Sequence, residues 1–206
     1  MVSNFFKDLK KGKKGERITK DVLECMTDNY TFRDVSEEEE YRHLGDIEIK
    51  YSYDSYREKF NDKPDYLPMP QELFDLYNLS YFIDVKDDSR IGDTGNILCE
   101  EKVYYKKNGI VKDGFMYNLY DYLAIVNEKD KMIYILDFHL LQKVYKQGRK
   151  MRLYYSDQYS DVYLYSLDKA KDNGILMAVI GYEEDRGYYY PTDLLYKKDN
   201  LVLNTF

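Results

Sequence analysis

The 206-residue chain contains no tryptophan, only two cysteines and two histidines, and four prolines. Cys25 and Cys99 have no C-x-x-C partner and no histidine pair nearby, so no zinc knuckle is encoded, and such sparse cysteine suits a reducing compartment. His43 and His139 stand neither in an H-x-x-x-H pattern nor beside a serine or cysteine nucleophile, which argues against a zinc hydrolase and against a catalytic triad. Long apolar runs are missing as well. Tyr122 to Val126 and Ile133 to Leu136 are among the longest, far too short for a membrane span or a signal-peptide core. A cytoplasmic protein with no membrane partner is the expectation. There is no internal repeat, and the length suits one domain with a real core.

The chain is rich in tyrosine, with 25 residues. Tyrosine has an apolar body and a polar tip, so it serves half-buried strand faces as well as base stacking. It is also a strong strand former, and sheet packing accounts for the count without invoking nucleic acid. A net charge of -7 argues against non-specific coating of DNA, which requires a basic surface to release counterions. The charge is uneven, however. Residues 7 to 20 carry Lys7, Lys10, Lys11, Lys13, Lys14, Arg17 and Lys20 against Asp8 and Glu16. Residues 143 to 152 carry Lys143, Lys146, Arg149, Lys150 and Arg152 with no acid. Two basic strips on an acidic body suit a local phosphate track; either one alone is equally well a solvated helix face.

Hydrophobic spacing predicts a helix over Lys14 to Met26, with Ile18, Val22 and Cys25 or Met26 on one face and Gly12 and Gly15 at its entry. Strands are predicted at Tyr30 to Val35, Asp46 to Tyr51 and Tyr81 to Lys86. In the second, Ile47, Ile49 and Tyr51 alternate with a wet face of Asp46, Glu48 and Lys50. Residues 53 to 79 read as an insertion, with Pro64, Pro68 and Pro70 ahead of an amphipathic piece at Gln71 to Tyr77. Residues 97 to 119 give no clear pattern. Asp121 to Asn127 and Met132 to Asp137 read as a hairpin, and Phe138 to Gln147 as a helix ending at Gly148. Strand-like runs follow at Leu153 to Tyr155, Val162 to Tyr165 and Leu176 to Tyr182. This order predicts a mixed α/β domain over residues 1–150, with an insertion at about 53–79, and a strand-rich extension over 151–206 packed on it.

Chemistry concentrates in acid-x-Lys triplets. There are four: Asp8/Lys10, Glu48/Lys50, Asp84/Lys86 and Glu100/Lys102. The Asp84/Lys86 pair follows the apolar run Tyr81-Phe82-Ile83, and strand alternation puts both groups on one face with Val85 on the other. Asp46 opens the earlier strand. If the two strands are neighbours, Asp46 and Asp84 share one hard cation through oxygen ligands, with water and a substrate phosphate completing its shell. Lys86 then holds the attacking water or neutralises the developing charge. That arrangement suits phosphodiester hydrolysis. Glu48/Lys50, with Asp34 upstream, is a competing register. Ser89, Arg90, Thr94 and Asn96 follow the triplet in a polar loop, where Arg90 is a candidate phosphate contact, although a plain turn explains the same residues.

Gly15-Glu16 in the opening helix, Gly45-Asp46 at a strand start, Asp84-Val85-Lys86 at a strand end and the strand Asp121 to Val126 together resemble the PD-(D/E)XK, or restriction-endonuclease-like, nuclease superfamily. The motif order is similar to that of archaeal Holliday-junction resolvases, and the resemblance covers roughly residues 12 to 137. It implies an αβββαβ core around a central mixed sheet, and Mg²⁺-dependent cleavage of DNA, with Mn²⁺ substituting. Asp46 and Asp84 would be metal ligands, Glu16 a further ligand and Lys86 catalytic, with Lys13, Lys14, Arg17 and Arg90 against the DNA backbone. Cutting both strands would call for paired sites, hence a homodimer. The sequence departs from the family in having Gly45 where the first motif carries proline, and in the 37 residues between Asp46 and Asp84. The second expectation, of another class, is an acidic and catalytically silent inhibitor on the same scaffold. It would bind a host-defence nucleic-acid enzyme on behalf of a phage or other mobile element.

Overall fold

The computed structural model describes residues 2–41, 43–59 and 68–198 of the chain. It opens with one helix, α1 (Val2–Met26), which begins twelve residues before the predicted start at Lys14. Lysine is a good helix former, and the lysine-rich stretch continues the helix instead of leading into it. Gly12 and Gly15 therefore lie within α1. Strands β1 (Tyr30–Asp34) and β2 (Ile47–Tyr51) follow, then the short helices α2 (Tyr53–Glu58) and α3 (Gln71–Tyr77), then β3 (Tyr81–Asp87). Residues 60–67 of the expected insertion lie outside the described residues.

After β3 come α4 (Ile91–Thr94), β4 (Asn96–Tyr105) and β5 (Val111–Asp113), so the stretch without a clear pattern folds largely as strands. The predicted hairpin forms as β6 (Tyr122–Asn127) and β7 (Met132–Asp137), paired from Tyr122↔Asp137 to Asn127↔Met132. Next is α5 (Phe138–Val144), whose Asp137 N-cap side chain accepts from Leu140 N at 2.9 Å. The chain then forms β8 (Arg149–Tyr154), β9 (Gln158–Ser166), α6 (Leu167–Asp172), β10 (Leu176–Asp185) and β11 (Tyr188–Lys197). Residues 199–206 lie outside the described residues.

The result is a mixed α/β architecture with two sheets. The larger has the order β1-β2-β3-β6-β7-β10-β11, and the smaller β5-β4-β9-β8. In the larger sheet β3 and β6 run parallel and the other neighbours antiparallel. Residues beyond 150 are thus shared between both sheets: β10 and β11 complete the larger, and β8 and β9 build half of the smaller. Helix α1 touches both β1 and β11, the two edges of the larger sheet, so that sheet curls around it.

Two apolar layers follow from strand alternation. Ile18, Val22 and Leu23 of α1 pack on Ile47, Ile49, Ile83, Val85, Ala124 and Val126 on one face of the larger sheet. Leu123, Ile125 and Leu136 on its other face meet Ile97 and Cys99 of β4, Tyr165 of β9, and Phe138 and Leu141 of α5. Gly15 is buried where α1 crosses β3 and β6, and a Cβ there would already stand 3.5 Å from Val85. That close crossing brings the next residue, Glu16, over the end of β3. Among the described residues, no helix is long and apolar enough to cross a membrane.

Candidate functional site

The site lies where β2 and β3 part. Their pairing runs from Ile49↔Tyr81 to Ile47↔Ile83, so the strands on either side of the long insertion are direct antiparallel neighbours. Gly45 adopts φ +136, and a Cβ there would come within 2.8 Å of Ile83 O. Only glycine accepts both the conformation and the approach, and proline, fixed near a φ of about −65°, is excluded from the position. The glycine that stands where the resembled motif carries proline therefore has a backbone cause. The chain then turns so that Asp46 N donates to Ile83 O at 2.8 Å while the Asp46 carboxylate accepts from Val85 N at 2.7 Å.

Asp84 and Lys86 share the face of β3 turned away from α1, as alternation predicts, with Val85 in the α1 layer. Asp84 is 6% exposed. The buried Asp84 Oδ2 is ion-paired with Lys86 Nζ at 2.7 Å, and no other group hydrogen-bonds that oxygen. Beneath it Tyr120 is wholly buried. Burial pushes the Tyr120 phenol pKa up, and the adjacent Asp84 carboxylate pushes it further.

From the other side Glu16 completes the group. Glu16, Asp46, Val85 and Lys86, with Lys11, Gly12 and Asp87, line one open cleft of about 430 Å³. Burial pushes the Asp46 carboxyl up to about 7, and the neighbouring Asp84 and Glu16 charges add to this against Lys86 and the Val85 hydrogen bond. Burial also raises Glu16, helped by Asp34, while a Ser36 hydrogen bond and the charges of Lys13 and Lys86 oppose it. Burial works against the Lys86 ammonium, but Asp84, Asp46 and Glu16 outweigh it and hold the lysine above its usual range. Lys86 is thus acted on by three carboxylates, while Lys11 on the same cleft pairs with Asp87 and the charge of Lys13 reaches Glu16.

The competing register has the opposite character. Glu48 is expected on a wet face, yet it is 4% exposed. It accepts from Arg33 Nε at 2.9 Å and Ser80 Oγ at 2.7 Å, with Lys50 Nζ at 3.1 Å. Burial alone would raise its carboxyl pKa; the bonds from Ser80, Lys50 and Arg33 outweigh burial and hold it below the usual range. Its proposed partner Asp34 turns instead to Ser36, accepting from its N and Oγ.

The basic candidates all lie exposed, each beside an acidic or carbonyl partner. Lys13 pairs with Glu37, Lys14 with Glu128, and Arg17 with Gly187 O and Asp21. Arg90 Nε is 3.6 Å from Asp88. The side chain of Lys7 lies outside the described residues. In the second strip Lys146 bonds Glu101 at 2.6 Å and Arg152 bonds Asp161 at 2.7 Å. Asp87 and Tyr120 are near the site without being candidates in the sequence, and Glu100, also near, stands there only as one of the four acid-x-Lys triplets. Asp87 had a signal, since it continues the Asp84-Val85-Lys86 register; Tyr120 and Glu100 fall in or beside the stretch without a pattern.

A divalent cation is compatible with this neighbourhood on two grounds, the gathering of Asp84, Asp46 and Glu16 around Lys86 and the raised Asp46 carboxyl. Among the described residues, no three His, Cys, Asp or Glu side chains stand close enough to form a ready-made metal cage. Comparison with protein-family models, curated proteins and solved structures finds no match to this chain.

Proposed function

We propose that the chain is a Mg²⁺-dependent nuclease that hydrolyses DNA phosphodiester bonds, built on a restriction-endonuclease-like core. The observation that carries this is the convergence of Glu16 from α1, Asp46 from the turn into β2 and Lys86 from β3 in one cleft, with the buried Asp84 ion-paired to that lysine. The core would consist of α1, the antiparallel β1, β2 and β3, and the parallel β6. Strands β4 and β5 stand in the crossover where the family places a helix.

Asp46, Asp84 and Glu16, which do not stand as a ready-made cage, would have to draw together to hold the cation, which when bound would screen charge on the phosphate and lower the pKa of a bound water. The chain's own part is then positional. Asp46 is aimed by Val85 N, and Asp84 by its burial on β3. Lys86 reaches the cleft beside them, where its ammonium orients the attacking water or neutralises charge on the phosphoryl oxygens as the water–phosphorus bond forms and the ester bond breaks. Lys13, Lys14 and Arg17 would meet the DNA backbone only by exchanging their present partners for phosphate.

Cleavage assays with Mg²⁺ and Mn²⁺ on single-stranded, duplex and branched DNA test this. The wild type is expected to cleave at least one substrate, with Asp84→Ala and Lys86→Ala slower by on the order of 10³-fold. Equal rates in all three proteins would falsify the assignment. One observation favours a binding protein instead: Leu76, Tyr77 and Leu79, at and after the end of α3, are 72%, 68% and 74% exposed. Retention of a protein partner by an Asp46→Ala, Asp84→Ala double variant, with no activity in the wild type, would support that reading.

A further inference from the structure

A second cleft, of about 380 Å³, opens on the other side of Lys86, between the two sheets. Its floor is apolar, formed by Leu98 of β4 with Leu123 and Ile125 of β6, and two aromatic rings, Phe115 and Tyr155, stand on its walls. Tyr155 is 47% exposed. Arg90 brings a guanidinium donor to the same space, and Glu100, Asp87 and Asp88 bring carboxylate acceptors. Lys86 belongs to both clefts, and its Nζ lies 5.8 Å from the centre of the Phe115 ring. A smaller cleft of about 170 Å³ shares Asp88, Arg90 and Leu98 with this one and extends it to Arg149 of the second basic strip.

From this juxtaposition we infer that the cleft between Phe115 and Tyr155 takes one unpaired nucleobase next to the scissile phosphate, so that single-stranded DNA is the substrate. This rests on the nuclease assignment and narrows it. In a duplex both faces of each base are covered by its neighbours, and no base reaches such a cleft without leaving the stack. In a single strand the base is free to lie on an aromatic ring, a contact that tolerates any sequence because every base has a π-face. The volume suits one nucleoside, near the lower end of ligand pockets, which start at about 300 Å³. The polar edge of the base would meet Glu100 and Arg90, and the strand would leave along Arg90 towards Arg149, whose charges suit its phosphates.

The test measures binding and cleavage of one 20-nucleotide sequence as a single strand and as a blunt duplex, with Ca²⁺ in place of Mg²⁺ for binding. The variants are Tyr155→Ala, Phe115→Leu, which retains bulk without an aromatic face, and Leu98→Trp, which fills the cleft. The wild type is expected to bind the single strand about tenfold more tightly than the duplex, and each variant to lose on the order of tenfold for the strand. The small change expected in duplex binding and thermal midpoint distinguishes cleft loss from misfolding. Wild-type preference for duplex would overturn the inference, as would strand binding unchanged in Tyr155→Ala and Leu98→Trp. The two ideas fail separately. If duplex is cleaved best but Asp84→Ala abolishes that cleavage, only the base cleft is lost. If Asp84→Ala cleaves like the wild type, the metal site is lost, and the strand-binding data still judge the cleft.

Discussion

Adjacent strands of the larger sheet carry the same short motif with opposite electrostatic outcomes. Glu48-Ile49-Lys50 on β2 and Asp84-Val85-Lys86 on β3 both place an acid and a lysine on one strand face with an apolar residue between. At Glu48 one carboxylate meets Arg33, Lys50 and Ser80, and its charge is fully answered. At Asp84 the carboxylate is ion-paired with Lys86, the same lysine also feels Asp46 and Glu16, and Asp46 is pushed up to about 7. The first arrangement stabilises a fold. The second leaves Asp46 with a raised carboxyl beside an ion pair, an arrangement that sites binding ions or performing proton chemistry share with some structural networks. The triplet itself does not separate them; the ratio of acids to bases around it does.

The comparison is broken most severely if the two lysines prove equivalent. Lys86→Ala is expected to lower cleavage by about 10³-fold, whereas Lys50→Ala should stay within about threefold of wild type. Comparable losses in single-turnover assays would mean that the Glu48 register is the reactive one. The next effect is on stability. Glu48→Gln leaves Arg33 and Lys50 facing a neutral group, at a cost of about 1–2 kcal/mol at pH 8, modest because both bases are half exposed. Denaturant titration measures it, and an unchanged midpoint would show that the cluster contributes nothing.

The pH dependences should then have opposite signs. The Glu48 carboxyl is held low in the fold, so its stabilisation is present above its unfolded pKa and disappears as pH falls through the lower folded value. The Asp46 carboxyl is raised to about 7, so the folded state favours its proton, and metal-free stability declines as pH rises from the ordinary carboxylate range towards 7. Asp46→Asn should therefore raise metal-free stability at pH 8 by about 1–2 kcal/mol and have little effect near pH 4. A flat difference between Asp46→Asn and wild type over that range would refute the raised carboxyl. The smallest effect concerns the cysteines. Cys25 is exposed, while Cys99 is buried and pushed up to about 12 by burial, so native protein should titrate one thiol with a disulfide reagent and two when unfolded.

Much of the fold was legible where one strand face is purely apolar. The β6–β7 hairpin appears at almost the predicted boundaries, and β3 extends its prediction by one residue. Strand β4 was not legible, because its buried face runs Ile97, Cys99, Glu101, Val103, and the charge at Glu101 interrupts the pattern. Glu101 is tolerated there by Lys146 at 2.6 Å and Lys150 at 3.8 Å, both distant in sequence. Glu48 misled in the same way, since its partner Arg33 lies across a strand pair and Ser80 beyond the insertion. At the candidate site, the placement of Asp84 and Lys86 on one face follows from alternation alone. The proximity of Asp46 depends on β2 pairing with β3 across the long insertion, and that of Glu16 on a helix crossing made close at Gly15; neither is a local property. The cleft of Phe115 and Tyr155 joins residues 40 apart, one after β5 and one just past β8, that no short-range pattern links.

Lys86 forms a wall common to both clefts, and this makes it a thermodynamic junction. A cation beside Asp84 and a strand beside Phe115 would compete for, or be aided by, the position of the same ammonium. Linkage then requires that each change the other's affinity by one and the same factor. Metal titrations with and without strand, and strand titrations with and without metal, must close that cycle, and the size of the common factor is the energy passed through a single side chain.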